Sequence, residues 1–276
     1  MTYATLMVHV ELGRPNAALL RIAGDLAERF NASVTGIAVC QPMRVIYSEG
    51  YVPGDLIAKD HAERESELAT VEAEFRESLR GRAGHLEWRS AIVEDSLSDF
   101  LCREARSADL IVTGLDRNAS FLDNTRHLDI GDFVMHVGRP VLIVPAVLDQ
   151  LKFERVLVGW KDSRETRRAV ADALPFLKLA AHVVVVEIAG EPELTGARRR
   201  LDDVRQWLAR HGVAAEAVVA PSTGEDAHQL HTLALEHRAE VIVAGAYGHS
   251  RMREWVLGGV TRDLLLRAGR CSLVSH

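Results

Sequence analysis

The chain has 276 residues, room for two domains of common size, and its 47% apolar and 26% charged content is that of an ordinary globular protein. A net charge of −6 with a pI near 6.1 argues against a protein that coats nucleic acid. Three cysteines (Cys40, Cys102, Cys271) in no CxxC or Cys/His spacing argue against a disulfide framework or structural zinc site. No apolar run reaches the roughly 18 residues of a membrane span, and the first residues lack a signal peptide's basic start and cleavage site. A cytoplasmic protein is expected, with neither nucleic acid nor membrane as partner.

The first half alternates β-rich runs with helical patterns. Strands are predicted over Thr5–Val10, Ala32–Val39, Leu86–Ile92, Asp109–Thr113 and Pro140–Val144, mostly as continuous apolar runs suited to parallel strands covered on both faces. Between the first two, Leu19, Ile22, Ala23, Leu26, Ala27 and Phe30 recur at helical spacing. A long loop, Gln41–Gly54, leads to a long helix predicted over Leu56–Arg80; the loop reads as a lid, a partner surface or a plain connector. The second half gives strands over Arg155–Trp160, His182–Ile188, Ala214–Ala220, Glu240–Gly245 and Cys271–Val274, and Pro175 should break its first helix.

The two halves match each other. Leu6-Met7-Val8 answers Val156-Leu157-Val158 at an offset of 150, whereas Ala108–Gly114 answers Ala239–Gly245, and Gly138–Val144 answers the chain from Gly269, at 131. The first half is 19 residues longer between its second and third strands, which accounts for the change of offset. The chain therefore reads as a duplicated α/β module, 1–148 and 149–276, each a doubly wound parallel sheet of Rossmann-like type. Ligands of such sheets lie beyond the carboxyl ends of the strands, where strand order reverses.

The most informative segment follows the fourth strand of the second half. Gly245, Gly248 and Gly258 stand in the pattern G-x2-G-x9-G, with Gly259, Val260 and Thr261 opening a helix that runs through Leu264–Arg267. Glycines let main chain approach an anion, and a helix start presents free N–H groups to it. His249, Ser250, Arg251 and Thr261 add donors, so the segment reads as a phosphate cradle, although a bland turn with a helix cap has the same punctuation. It is neither a Walker A loop nor a GxGxxG loop.

This spacing at the fourth strand of an α/β module, together with Gly138-Arg139-Pro140-Val141, the run from Gly269-Arg270-Cys271, and Val156–Glu165, resembles the universal stress proteins, twice over and across essentially the whole chain. The resemblance implies two modules of the adenine-nucleotide alpha hydrolase-like fold related by a pseudo-two-fold axis. It also implies ATP bound in the second module only, and a stress-response regulatory role rather than catalysis. It places the phosphates on Gly248, His249, Ser250, Gly258, Gly259 and Val260, and the base near Trp160, Lys161 and Asp162. Two departures stand out. Gly259 replaces a hydroxyl residue, and Lys161, which has only donors, stands where an acidic residue would accept from the adenine amino group. In the first half Glu11 holds the acidic position, but Arg117 replaces the second glycine, Phe121–Leu128 lacks glycine, and Asp116, Asp123 and Asp129 would repel phosphate. That site reads as degenerate.

Other candidates are weaker. His228 and His231 share a helix face without a completing ligand, and a solvated face is the simpler reading. Arg198-Arg199-Arg200 with Asp202-Asp203 reads as an exposed, salt-bridged helix. Cys271 reads as packing, and Cys40 carries a weak redox reading. No nucleophile–base pair, paired carboxylates or metal set marks a catalytic centre; Glu254 or Asp263 would have to serve a slow ATPase. A ligand-free scaffold built from a fused dimer is the alternative from a different class, and further pairing of chains into a homodimer is left open.

Overall fold

The computed structural model describes residues 2–43, 54–115, 125–148, 150–246 and 269–276. The first half contributes strands β1 (Thr5–His9), β2 (Ser33–Cys40), β3 (Leu86–Ile92), β4 (Leu110–Leu115) and β5 (Val141–Pro145). Among them lie helices α1 (Ala17–Phe30), α2 (Gly54–Leu79), α3 (Leu97–Glu104) and α4 (Ile130–His136). The second half contributes β6 (Arg155–Trp160), α5 (Arg164–Asp172), α6 (Leu174–Leu179), β7 (His182–Ala189), α7 (Leu194–Arg210), β8 (Ala215–Pro221), α8 (Asp226–Glu236), β9 (Val241–Gly245) and β10 (Cys271–Ser275). Every predicted strand is present, with ends moved by a residue or two. The helix break expected at Pro175 is the step from α5 to α6, where Pro175 sits in the first turn of α6, a position that needs no N–H donor.

The strands form one ten-stranded sheet in the order β3-β2-β1-β4-β5-β10-β9-β6-β7-β8. Within each half all pairings are parallel; β5 and β10 meet antiparallel, with Leu142 opposite Leu273. Reading outward from that junction gives the same strand sequence on both sides, so a pseudo-two-fold axis passes between β5 and β10. Alternate residues of β1 explain the layering. Leu6 and Val8 point into a core shared with α1, α2, α5, α6 and α7. Met7 points to the opposite face, covered by α3 and α4, and Leu157 to the corresponding layer under α8. The first of these cores is continuous across both halves.

The halves are also tied by aromatic rings. Tyr3 packs on Phe30 at 5.1 Å and on Phe176 at 5.3 Å, Phe176 stacks on Phe153 at 5.1 Å, and the Arg29 guanidinium lies over Phe153. The buried Tyr3 hydroxyl donates to the Asp172 carbonyl at 2.6 Å, and Ser275 Oγ donates to the Asp172 carboxylate at 2.8 Å. Burial raises the Asp172 carboxyl above the ordinary aspartate range.

Candidate functional site

Strand order reverses between β1 and β4 in one half and between β6 and β9 in the other, so each half has a crevice at the carboxyl ends of those strands. In the second half the pairing of Gly159 with Ala244 sets Trp160 and Gly245 side by side at the mouth of the crevice. A Cβ on Gly245 would lie 2.4 Å from the Thr166 backbone nitrogen and 2.6 Å from the Glu165 carbonyl carbon. Glycine is thus required there by the close approach of the first turn of α5, before any ligand is considered. Ser163 caps that turn, accepting from the Thr166 N–H at 3.3 Å. Ala246 continues the strand direction; its N–H donates to the Ser275 carbonyl at 2.8 Å, and its own carbonyl meets His276 Nδ1 at 3.0 Å.

Lys161 and Asp162 follow β6 and are exposed. The Asp162 carboxylate accepts from Arg167 Nη2 at 2.8 Å. Trp160 is half-buried, and its indole Nε1 makes no hydrogen bond. Beside it in register, Glu187 is buried and held by Arg200, whose Nε donates to Glu187 Oε1 at 3.0 Å. The helix is exposed and salt-bridged as the sequence suggests, with Arg198 and Arg199 at the surface, while the partner of Arg200 lies off the helix. Arg200 reaches back from α7 to the end of β7, because Glu187 alternates onto that face of the sheet and a buried carboxylate needs a partner. Gly248, His249, Ser250, Gly258, Gly259, Val260 and Thr261 lie outside the described residues, as do Glu254 and Asp263.

The crevice of the first half is packed with its own side chains. His9, at the end of β1, is buried, and its Nδ1 meets Thr113 Oγ1 of β4 at 3.1 Å. Burial holds the His9 imidazole below the ordinary histidine range, partly offset by Glu11 and reinforced by His127. Arg14 Nη2 donates to His127 Nε2 at 3.1 Å. Arginine has no acceptor, so His127 carries its proton on Nδ1, which faces Glu11 Oε2 at 3.6 Å. Asn16 is buried and donates to the carbonyls of Glu11 and Arg14, fixing the turn that carries both. The cavity left beside Glu11, Asn16 and Gly114 is about 20 Å³, space for a water and far below the few hundred Å³ of a small-molecule pocket.

His127 stands 131 residues before Gly258, so it occupies the repeat position of the third glycine. Two residues on, Asp129 caps α4, accepting from the Asp132 N–H at 3.1 Å. The free donor that a helix start offers an anion is thus satisfied by the chain's own carboxylate. Sequence reading identified Glu11 and Asp129 but not His9, Arg14, Asn16, Thr113 or His127. The usable signal was the 131-residue offset, which aligns His127 with a glycine.

His228 and His231 lie on α8, and among the described residues no group of three or more His, Cys, Asp or Glu is arranged to hold a metal. Among those residues no helix is long and apolar enough to cross a membrane. Cys271 is fully buried, and burial drives its thiol far above the ordinary range, in keeping with a packing role.

Neither a protein-family model nor a curated protein sequence matches the chain. Among solved structures, the chain is similar to a universal stress protein from Archaeoglobus fulgidus DSM 4304, with a TM-score of 0.74 and 14% identity over 99% of this chain and 98% of that one. A functionally unknown protein from Pseudomonas aeruginosa PAO1 aligns with a TM-score of 0.62 and 15% identity, over 99% of this chain and 92% of the other. The fold is therefore that of a tandem universal stress protein along the whole chain: an α/β fold with a mostly parallel sheet.

Proposed function

We propose that the chain is a nucleotide-binding regulatory module of the universal stress type, made of units 1–148 and 149–276, with one working site in the second. The ligand is ATP or a related phosphate compound, held at the β6–β9 crevice by the glycine run that follows Gly245. The observation that carries this reading is the asymmetry of the two crevices. In the first, His127 and the Asp129 cap occupy the place a phosphate would take. In the second, the aligned positions are Gly258 and Val260, which bring no hydrogen-bonding side chain. Occupancy would be read out as a shift in a loop or interface rather than as turnover.

Isothermal titration with ATP tests the placement. Binding to the parent chain that is lost in Gly248→Arg and Gly258→Val supports it; equal affinity in all three refutes it. The competing reading is a ligand-free scaffold, favoured by Lys161 and by the core shared between the halves. It predicts no rise in melting temperature with any nucleotide, whereas a ligand at 100 times its Kd stabilises by about 2.7 kcal/mol.

A further inference from the structure

The sheet ends on two edge strands, β3 and β8, each paired on one side only, with β2 and β7. In a parallel strand, alternate residues turn both N–H and C=O to the same side. The Val93 N–H donates to the Cys40 carbonyl at 2.9 Å and the His85 carbonyl accepts from Val34 at 2.8 Å, so the odd-numbered residues of β3 face β2. Leu86, Trp88, Ser90 and Ile92 therefore turn their main-chain groups outward, where the sheet has no further strand among the described residues. On β8 the Ser222 N–H donates to the Ala189 carbonyl at 2.8 Å, which leaves Ala215, Ala217 and Val219 facing outward. The Pro221 carbonyl on that edge is taken by Gln229 Nε2 at 2.7 Å. A row of unpaired N–H and C=O groups is a template for another strand unless something guards it.

We propose that the β3 edge is an interaction surface for a second copy of this chain, the two strands pairing antiparallel about a two-fold axis through Trp88. In that register Trp88 bonds Trp88 of the second copy through main chain, and Leu86 bonds its Ser90. Between these pairs Glu87 stands opposite Arg89 of the second copy, and Arg89 opposite its Glu87. Arg89 donates to Glu87 through Nε at 2.9 Å and to Glu104 through Nη1 at 2.6 Å, and neither bond uses Nη2, which is left for the facing carboxylate. The half-buried Trp88 ring is held against Phe75 at 5.2 Å and meets its own copy across the axis. Opposite charges and aromatic rings directly across an antiparallel pair stabilise it, and like charges destabilise it. A shift of the register to a two-fold axis through Ser90 sets Arg89 against Ala91 and loses both charge pairs. A guard against pairing would carry one sign of charge, which repels its own copy; this edge alternates signs and attracts it. The same operation on β8 sets Ala217 against Ala217 and Glu216 against Val218, with neither kind of pair. The contact is self-complementary, so it closes as a symmetric dimer. It continues the sheet from chain to chain by an antiparallel join, as β5 and β10 do within the chain.

The test is sedimentation equilibrium of the full chain, repeated on Ser90→Pro, Ala217→Pro, Glu87→Lys and Arg89→Glu. Ser90 and Ala217 turn their N–H groups outward, so proline at either removes no bond within the sheet and blocks pairing only at its own edge. The expected result is a monomer–dimer equilibrium whose Kd rises at least tenfold in Ser90→Pro and is unchanged in Ala217→Pro. Glu87→Lys and Arg89→Glu should each self-associate at least tenfold more weakly than the parent, because like charges then face each other. An equimolar mixture of these two variants should recover the dimer, since each chain then meets opposite charge at both positions. Should the melting curve show that Ser90→Pro does not fold, the mixture decides. A parent chain that stays monomeric up to about 1 mM, a dimer kept in Ser90→Pro, or a mixture no tighter than its components would overturn the proposal.

Discussion

Gly245 shows how one residue can be legible while its reason is not. The sequence marks it as the first glycine of a phosphate cradle; the structure adds that any side chain there would strike the backbone of Glu165 and Thr166. Gly245→Ala should therefore destabilise the fold even without ligand, by about 1–3 kcal/mol as overpacked sites do. Urea unfolding of the unliganded chain measures this, and an unchanged midpoint would contradict the packing argument. His9 gives a pH signature. Its neutral form is favoured in the fold, so between its lowered native value and the ordinary 6.5 the unfolded chain binds more protons than the native one. Stability from this group is complete above about pH 6.5 and declines as pH falls below it. The drop in melting temperature from pH 7.5 to 5.5 should be smaller in His9→Asn than in the parent; an equal drop would remove His9 as the cause.

The strands are the most legible elements, because parallel strands buried on both faces appear as continuous apolar runs, as in Leu110-Ile111-Val112 and Val241-Ile242-Val243. Helices were read where the stripe was regular, as in α1, or where proline forced an end, as at Pro175. The short α3 and α4 escaped, since eight and seven residues give little periodicity and their starts are marked mainly by the caps Ser96 and Asp129. The first-half crevice escaped for another reason. The contacts of His9 with Thr113 and of Arg14 with His127 join residues more than 100 positions apart, and no local pattern announces such pairs. Arg200 and Glu187 are only 13 positions apart but lie on α7 and β7, and the packing of that helix on the strand brings them face to face. Arg200→Ala leaves a buried carboxylate unpaired and should cost about 1.5–3 kcal/mol. Arg199→Ala, an exposed neighbour in the same run, should cost less than 0.5 kcal/mol or so. Chemical denaturation of the pair of variants checks the contrast, and equal effects would contradict it.

At the scale of the whole molecule, the duplication is visible in the sequence, but the way the copies join is not. The β5–β10 pairing, the core running beneath both halves and the Tyr3–Phe176–Phe153 stack make the second copy a structural partner of the first. Chains carrying Trp88 or Trp207 as their one tryptophan should report coincident unfolding midpoints from the two halves, and separated midpoints would show independent units. The joined copies differ in the residues at their crevices. One crevice is filled by a histidine hydrogen-bonded to Arg14 and by a capped helix start, while the aligned positions of the other half are Gly258 and Val260. The calorimetric stoichiometry of ATP binding to the intact chain tests that account most directly. The account predicts saturation at one nucleotide per chain, unchanged in the first-half variant His127→Ala; saturation at two per chain, or none at millimolar ATP, would contradict it.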